Sequence, residues 1–496
     1  MSNLPHELYT AVQTRELEQI VTQQHAISSA TLMSRAGTAA LDAIKNNWPL
    51  AKHILVVCGT GNNGGDGFEL ARQALAKKYH VSIFQLGDER AMSEETTATR
   101  QALLATGTEI QRFEGKLPTA DLIVDGLFGT GLNREVSGDY ALAIEAINQH
   151  DEGIPVLALD IPSGIHADTG KALGTAIHAT ITLSFLGLNT GLFTGDGPNY
   201  AGKICFDSLK VPSSIYAALT PTARRVTLES NGAGLAPRDR TGHKGLYGHL
   251  FIIGGDHGMS GAARLAAEAG GRVGAGLISV ATRSAHSPYL NLTRPEIMCH
   301  GVENAGDLEA LLSSANALTV GPGLGQGEWG TTLFQKAIET NLPMVVDADA
   351  LNLLSKNPQH YDNWVLTPHP GEAARLLGCS SKEVQSDRFA AVEELQKRYA
   401  GVVVLKGSGT LISNGEAPTC LSTWGNPGMA SGGMGDVLAG VIGGLLAQHF
   451  SLMDAACVGV TLHGMAADKA AAQDGERGTL AMDLMPQLRK LANLLY

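Results

Sequence analysis

Apolar residues in the first half of the chain alternate between two periods. Short β-branched runs fall at 53–59, 81–86, 121–126, 156–161, 179–185 and 203–207, and segments of helical period fall near 14–46, 67–79, 94–106 and 139–149. Strands that alternate with helices are typical of a mostly parallel sheet with helices on both faces. The pattern therefore predicts a doubly wound α/β domain.

The same pattern returns in the second half, with strand-like runs at 249–255, 277–282, 317–323, 344–349, 364–369 and 402–407. Five of these runs end in Gly, Asp, His or Lys. Ligands of open α/β sheets bind beyond the carboxyl ends of the strands, so we expect these residues to meet in one crevice. The pattern lapses between 211 and 246, which predicts two domains, 1–215 and 222–496.

Bulk properties narrow the class of protein. A chain of 496 residues is long for a single core, and its net charge of −12 disfavours nucleic acid and anionic membranes as partners. The N-terminus lacks the charged and apolar regions of a signal peptide, and the apolar window 437–447 is too short to span a bilayer. Six scattered cysteines without a CxxC pair favour the cytoplasm.

Three oxygen-rich loops follow strands of the first half. "GTGNNGGDGFELARQ" (59–73) opens a helix, and its Asn62, Asn63 and Asp66 offer oxygens that can hold ribose hydroxyls or a hard cation. Asp125, Asp160 and Ser163 lie in the loops after two further strands. Either aspartate alone could simply form a turn. Three such loops at one edge of the sheet favour a binding site.

The stretch "NPGMASGGMGDVLAGVIGGLLAQ" (426–448) places Asp436 on a glycine-rich turn before an apolar helix. Glycines let the backbone approach a ligand, and free N–H groups at a helix start attract anions. Asp436 could be only the helix cap, a common role for Asp. Capping does not account for the glycines that precede it, so the stretch predicts an anion site with a carboxylate beside it.

Together these motifs resemble a known family. NNGGDG, DGLFGTGLNRE and LDIPSG are similar to the NAD(P)H-hydrate epimerase domain, and HKGxYG, GPGLG, TPHPGE, VLKGSGT and the 426–440 stretch to the ribokinase-related NAD(P)H-hydrate dehydratase. From about residue 9 to the C-terminus, the chain resembles the bacterial bifunctional NAD(P)H-hydrate repair enzymes. The resemblance implies an N-terminal Rossmann-like three-layer sandwich and a C-terminal ribokinase-like domain.

The resemblance also implies site residues in the first half. Two loops are expected to contact the hydrated cofactor: Asn62, Asn63, Gly64, Gly65 and Asp66 in one, and Gly129, Thr130, Gly131, Leu132, Asn133, Arg134 and Glu135 in the other. Asp160 is expected to bind substrate and to move the proton while C6 epimerises. Asn63, Asp125 and Ser163 match the potassium ligands of the family.

In the second half, the implied nucleotide-binding residues are Lys406, Gly407, Ser408, Gly409, Thr410 and Gly435. Substrate contacts are expected from Ala263, Gly323, His369 and Asp436, and Glu372 is expected to be an outer ligand of magnesium. Asp436 is implied to be the base that takes the proton of the C6 hydroxyl while ADP or ATP phosphorylates it. Loss of phosphate then restores NADH or NADPH.

Several points stay open at the level of sequence. The second half shares its architecture with small-molecule kinases, so a kinase with a non-catalytic N-terminal domain is the alternative, and a pure binding scaffold is a weaker one. ADP and ATP are not distinguished, although the epimerase-first arrangement resembles ADP users. The partner of Asp160 in epimerisation is not identified. Relatives of both halves imply a homo-oligomer.

Overall fold

The computed structural model describes residues 4–150 and 153–494, and the chain divides into two compact units, Met1–Arg224 and Arg225–Tyr496. The elements up to the division are β1 (Glu7–Leu8), α1 (Ala11–Gln24), α2 (Ser29–Asn47), β2 (His53–Cys58), α3 (Asn62–Ala76), β3 (His80–Gln85), α4 (Glu94–Leu104), β4 (Gln111–Arg112), β5 (Leu122–Gly126), α5 (Gly138–Asn148), β6 (Val156–Leu159), β7 (Ile181–Phe185), α6 (Gly197–Tyr200), β8 (Lys203–Asp207) and β9 (Ala223–Arg225).

Seven parallel strands form the sheet of the first unit, in the order β4-β3-β2-β5-β6-β7-β8. Alternate residues of β2 belong to different apolar clusters: Ile54 and Val56 pack with α1, α2 and α3, whereas Leu55 and Val57 pack with α5. Both faces of the sheet are therefore covered by helices, as the three-layer prediction requires. The strand order reverses between β2 and β5, which is where ligands bind in such sheets.

The elements of the second unit are α7 (Leu228–Asn231), β10 (His249–Ile253), α8 (Ser260–Arg272), β11 (Leu277–Thr282), β12 (Ile297–Gly301), α9 (Ala305–Leu312), β13 (Ala317–Val320), α10 (Glu328–Glu339), β14 (Met344–Val346), α11 (Ala348–Lys356), β15 (Trp364–Leu366), α12 (Pro370–Leu377), α13 (Ser381–Ser386), α14 (Arg388–Tyr399), β16 (Val402–Leu405), β17 (Thr410–Ser413), β18 (Thr419–Ser422), α15 (Met434–Ala447), α16 (Leu452–Asp474) and α17 (Leu484–Leu491).

Strands β10 to β18 lie in the order β18-β17-β16-β15-β14-β13-β10-β11-β12. The pairs from β12 to β16 are parallel, and β17 and β18 continue the sheet antiparallel. The order reverses between β10 and β13, so a second switch point lies there. Among residues 4–150 and 153–494, no helix is both long and apolar enough to cross a membrane.

Helix α15 packs against α8 with backbone close to backbone. A Cβ added to Gly440 would lie 2.1 Å from the carbonyl oxygen of Ala266, and one added to Gly444 would lie 2.7 Å from that of Gly270. Twelve residues of α15 are buried. The helix that carries Asp436 is thus held firmly in the core of its unit.

All twelve predicted strand runs are strands, but two helical predictions need correction. The segment 14–46 is two helices, because Ala26 takes a left-handed φ of 54° and Ser28 caps α2. The helix predicted at 67–79 begins at Asn62, so the NNGGD segment is its first turn rather than a loop. Strands β1, β4, β9, β12, β17 and β18 were not predicted.

Candidate active sites

The first site lies at the switch point of the seven-stranded sheet. A cleft of ≈ 560 Å³ opens beyond the ends of β2, β5 and β6. Ten of the residues predicted from sequence line it: Asn62, Asn63, Asp66, Gly129, Thr130, Gly131, Leu132, Asn133, Arg134 and Asp160. The fold therefore brings the two predicted loops and the predicted proton-transfer residue around one space.

Gly64, Gly65 and Glu135, also predicted to contact substrate, are not among the residues that line this cleft. A Cβ on Gly64 would lie 2.1 Å from the carbonyl oxygen of Gly59, and one on Gly65 would lie 2.5 Å from Cε of Met33. The two glycines therefore allow α3 to pack closely inside the fold. The Glu135 side chain lies beside Gly174 instead.

A buried polar cluster joins the three predicted potassium ligands. The Asp125 carboxylate accepts from Ser163 Oγ at 2.6 Å and from Ser163 N at 2.8 Å, and Asn63 Nδ2 donates to the carbonyl oxygen of Phe128 at 2.8 Å. Asn63 Oδ1 is buried and has no hydrogen-bond partner among the described residues. Burial raises the pKa of Asp125 to about 6. An orphaned amide oxygen near a carboxylate and a hydroxyl fits a hard monovalent cation.

Carboxyl groups collect in the cleft itself. Asp160 has a φ of 65°, and its Oδ2 accepts from Thr130 N at 3.3 Å. Burial raises the pKa of Asp160 to about 6. The pKa of Asp66 lies well above its ordinary value, because of burial first and then the charges of Asp160, Glu18 and Glu69. Two carboxyls with different proton affinities in one cleft can serve as an acid and a base.

The second site is built on the glycine turn before α15. The N-cap is Gly433, which has a left-handed φ of 91° and makes no side-chain cap bond. Asp436 lies in the first helical turn and is partly exposed. The reading of Asp436 as a cap is therefore wrong, and its carboxylate remains available for chemistry.

Lys406 lies next to this turn and contacts two other carboxylates. Its Nζ is 2.8 Å from Oδ1 of Asp347, which is 1% exposed, and 3.9 Å from Oε2 of Glu372. A Cβ on Gly435 would lie 3.3 Å from the same Nζ. Burial, with repulsion from Asp347, raises the pKa of Asp436 to about 7, and the Lys406 ammonium opposes that rise. A base, a cation and a helix start thus share one site.

His369 and Glu372 support each other at the start of α12. Nδ1 of His369 accepts from Gly371 N at 3.0 Å, and Oε2 of Glu372 accepts from His369 N at 2.8 Å. This is a reciprocal capping box. Burial and the Lys406 charge lower the pKa of His369, so the ring is neutral near pH 7. Nε2 of His369 lies 3.4 Å from Oε1 of Glu372, and the side chain is 51% exposed, so a substrate can reach it.

The predicted nucleotide loop is the turn between β16 and β17. Gly407 and Gly409 take φ values of 139° and 66°, which favour glycine. Arg388, 1% exposed, lies beneath the turn and donates to the carbonyl oxygens of Leu405 and Gly409 at 3.2 and 3.3 Å. Gly407 and Ser408 are exposed. Arg388 therefore supports the inner side of this loop, and its outer side is accessible to a ligand.

Gly323 and Ala263 lie near the second switch point. Gly323 has a φ of 58°, and a Cβ there would lie 2.6 Å from the carbonyl oxygen of Met259 at the start of α8. Ala263 is fully buried in α8, where it packs beneath Gly255. Gly323 therefore permits a close approach of two loops, whereas Ala263 offers no exposed surface.

A protein of Coxiella burnetii called bifunctional NAD(P)H-hydrate repair enzyme Nnr is 48% identical over 98% of this chain and 99% of its own length. The chain belongs to the bifunctional NAD(P)H-hydrate repair enzymes. A protein of Escherichia coli with the same name is 44% identical over 99% of this chain and 95% of its own. Family and enzyme class, as inferred from the motifs, are thereby confirmed.

Two family models divide this NAD(P)H-hydrate repair enzyme as the fold does. The model described as YjeF-related protein N-terminus matches residues 29–191, and the one described as NAD(P)H-hydrate dehydratase matches 250–490. A solved ribokinase-like superfamily protein from Enterococcus faecalis is 26% identical, with a TM-score of 0.50, and covers 55% of this chain and 96% of its own. The predicted ribokinase-like fold is confirmed.

The repair enzyme also has site residues that sequence reasoning missed. Asp347 lies within the run MVVDAD, directly after the last residue of β14, so its position at a strand end was a usable signal. Arg388 and Glu18 had no such signal, because each lies within a helix. Arg388 supports the 407–410 turn, and Glu18 of α1 lines the first cleft.

Proposed function

We propose that the first unit interconverts the R and S epimers of NAD(P)H-hydrate, and that the second returns the S epimer to NAD(P)H with ADP or ATP as phosphoryl donor. The proposal is carried by one observation: Asp436 stands partly exposed on a glycine turn beside Lys406. That arrangement supplies a base, a cation and free N–H groups for one phosphoryl transfer. The six cysteines, all among the described residues, form no disulfide bond, which supports a reducing cytoplasm as the location.

In the second unit, Asp436 takes the proton of the C6 hydroxyl as that oxygen attacks the terminal phosphorus. The bond from phosphorus to the leaving nucleotide breaks, and the glycine N–H groups and the Lys406 ammonium stabilise the charge that develops on the phosphoryl oxygens. The C6–O bond then breaks with departure of phosphate, and loss of a proton from C5 restores the dihydronicotinamide ring. Asp347 holds Lys406 in place through the 2.8 Å contact.

The residues present do not fit a magnesium site of their own. Among the described residues, no three or more His, Cys, Asp or Glu side chains are grouped as a metal site, so magnesium would have to rely on one or two carboxylates and the phosphates of the nucleotide. Asp347 and Glu372 both face the Lys406 ammonium. In this structure the two carboxylates therefore serve Lys406 rather than magnesium, which agrees poorly with Glu372 as an outer ligand.

The residues of the first unit do fit potassium. Asn63, Asp125 and Ser163 would hold the ion, which would supply positive charge beside the cleft and would tie together the segments that follow β2, β5 and β6. In this proposal, the carboxyls of Asp160 and Asp66 within the cleft move a proton to and from the substrate. Asp160 is held in its orientation by Thr130 N.

The test uses the full chain and pure S-hydrate, followed at 340 nm without nucleotide, with ADP and with ATP. We expect NAD(P)H to form only when a nucleotide is present, and pure R-hydrate to react as well because the first unit supplies the S epimer. A stable phosphate ester in place of NAD(P)H would favour the small-molecule kinase. An R-hydrate that reacts no faster than its spontaneous epimerisation would leave the first unit a scaffold.

A further inference from the structure

Helix α16 contacts both ends of the stretch that precedes Asp436. At one end, Asp468 accepts from Gly425 N at 3.0 Å and from Asn426 Nδ2 at 2.9 Å. At the other end, the buried His463 lies close to the backbone of Met434, the first residue of α15. One helix thus fixes the stretch 425–434 at its beginning and at its end.

Asn426, which donates to Asp468, also accepts a hydrogen bond from the turn that follows it. Oδ1 of Asn426 accepts from Gly428 N at 3.0 Å, so the Asp468 carboxylate is connected to the short helical turn Pro427–Met429. Between the two anchors lie Ser431, Gly432 and Gly433. The hydroxyl of Ser431 is buried and has no hydrogen-bond partner among the described residues. Packing of Gly433 against Leu265 and Ala481 supports the middle of the stretch, and hydrogen bonds hold its first end.

His463 lies close enough to the active-site cation to feel its charge. It is 6% exposed, and burial together with the charge of Lys406 lowers its pKa to about 4. One of its nitrogens, Nε2, is buried without a hydrogen-bond partner among the described residues. A neutral imidazole in this place can brace the helix start without adding a second positive charge beside Lys406.

Close packing of α16 on Trp424 explains how this one helix contacts both ends of the 425–434 stretch. Gly464, next to His463, lies against Trp424: a Cβ there would be 2.6 Å from Cβ of Trp424. That close contact brings α16 near enough for Asp468, five residues beyond His463, to reach Gly425. The run "LHGMAAD" within α16, to which no role was assigned from sequence, therefore supplies the residues that contact the 425–434 stretch.

We propose that His463 and Asp468 are positioning residues for Asp436, and that they keep the 425–434 stretch in the shape that the phosphoryl group requires. The inference rests on the proposed dehydration. Neither side chain is placed to react with substrate. Each acts by setting where the glycine N–H groups and the Asp436 carboxylate lie relative to the C6 hydroxyl.

The experiment compares full-length His463→Leu, His463→Gln and Asp468→Asn with wild type, using S-hydrate, ADP and absorbance at 340 nm. Because displacement of reacting groups by about 1 Å costs on the order of 10²-fold, we expect kcat to fall roughly 10- to 100-fold in His463→Leu and Asp468→Asn. The KM for S-hydrate should change much less. His463→Gln keeps a neutral hydrogen-bonding side chain and should recover part of the loss.

Two controls separate positioning from a loss of folding. Asp474→Asn makes the same chemical change at an exposed position of the same helix and should match wild type. Epimerisation of R-hydrate without nucleotide reports on the first unit of each preparation and should be unchanged. If the second unit of His463→Leu melts below the assay temperature, His463→Gln is used in its place. If that of Asp468→Asn does so, the assay is run at a lower temperature.

The results have clear meanings. Folded His463→Leu and Asp468→Asn with kcat within twofold of wild type would overturn the inference, as would a rise in KM at constant kcat. A uniform loss of kcat across pH, with the midpoint of the pH profile unchanged, would support it, since the base itself is then unaltered. If wild type itself fails to dehydrate S-hydrate, the proposed function fails rather than this inference.

Discussion

Dehydration should depend on pH through one carboxyl group, Asp436. Burial and repulsion from Asp347 raise the pKa of Asp436 to about 7. The base must be ionised, so activity is lost as pH falls through that value and is regained as pH rises. For a single group with that pKa, the ionised fraction rises from about one-tenth at pH 6 to about nine-tenths at pH 8, roughly a ninefold gain in rate.

Asp436→Asn keeps the shape of the side chain and removes the base. The rate with S-hydrate and ADP should fall by about 10²- to 10⁴-fold, the usual contribution of a positioned general base, and the residual rate should lose the step near pH 7. Asp362→Asn makes the same chemical change at an exposed position and serves as the control. Both variants should epimerise R-hydrate as wild type does.

The assay follows NAD(P)H at 340 nm from pH 5.5 to 9 with saturating ADP. An Asp436→Asn variant that keeps the wild-type rate would refute the assignment of the base. A variant that is slow but retains the full pH step would show that another group titrates. Either outcome would leave the glycine turn as an anion site and remove Asp436 from the chemistry.

Two further predictions concern the first unit. Potassium should protect wild type against heat by about 2.7 kcal/mol at a concentration 100 times its Kd, and Asp125→Ala should abolish that protection and slow epimerisation while S-hydrate is still dehydrated. Equal thermal shifts with potassium in both proteins would place the ion elsewhere. Gly64→Ala forces a methyl against the Gly59 carbonyl and should lower the free energy of unfolding of this unit by about 1–3 kcal/mol, measured by thermal unfolding. An unchanged melting transition would show that α3 shifts at no cost.

Most strands could be predicted from sequence because they are short apolar runs with both faces covered; β8, whose residues are at most partly buried, is the exception. The runs that were missed are different: β4 is two exposed polar residues, and β12 has mixed burial. The NNGGD segment was predicted as a loop because glycine disfavours helix. Close packing of Gly64 on Gly59 outweighs that local preference, and no local pattern reports such a contact.

The candidate sites divide in the same way. Motif residues at strand ends, such as Asp125 and Lys406, could be predicted because parallel strands end at one edge. The ion pair of Lys406 with Asp347 could not be predicted, although both residues follow strands, since they lie 59 positions apart and only the fold brings the two within 2.8 Å. Glu18 could not be predicted for another reason. Its helix, α1, precedes β2 and so does not follow a strand of the seven-stranded sheet, and the sequence of α1 does not distinguish a residue that lines the cleft from one exposed to solvent.

The close contact between α8 and α15 restricts which substitutions this enzyme can accept during evolution. Gly440 and Gly444 lie one and two turns beyond Asp436, about 6 and 12 Å along the helix, and both meet the backbone of α8. A side chain at either glycine would tilt the helix that carries the carboxylate, although neither position is near the substrate. During evolution, a larger residue at Gly440 or Gly444 therefore requires a compensating change in α8. Substitutions at these two glycines should occur together with substitutions in α8, or not at all.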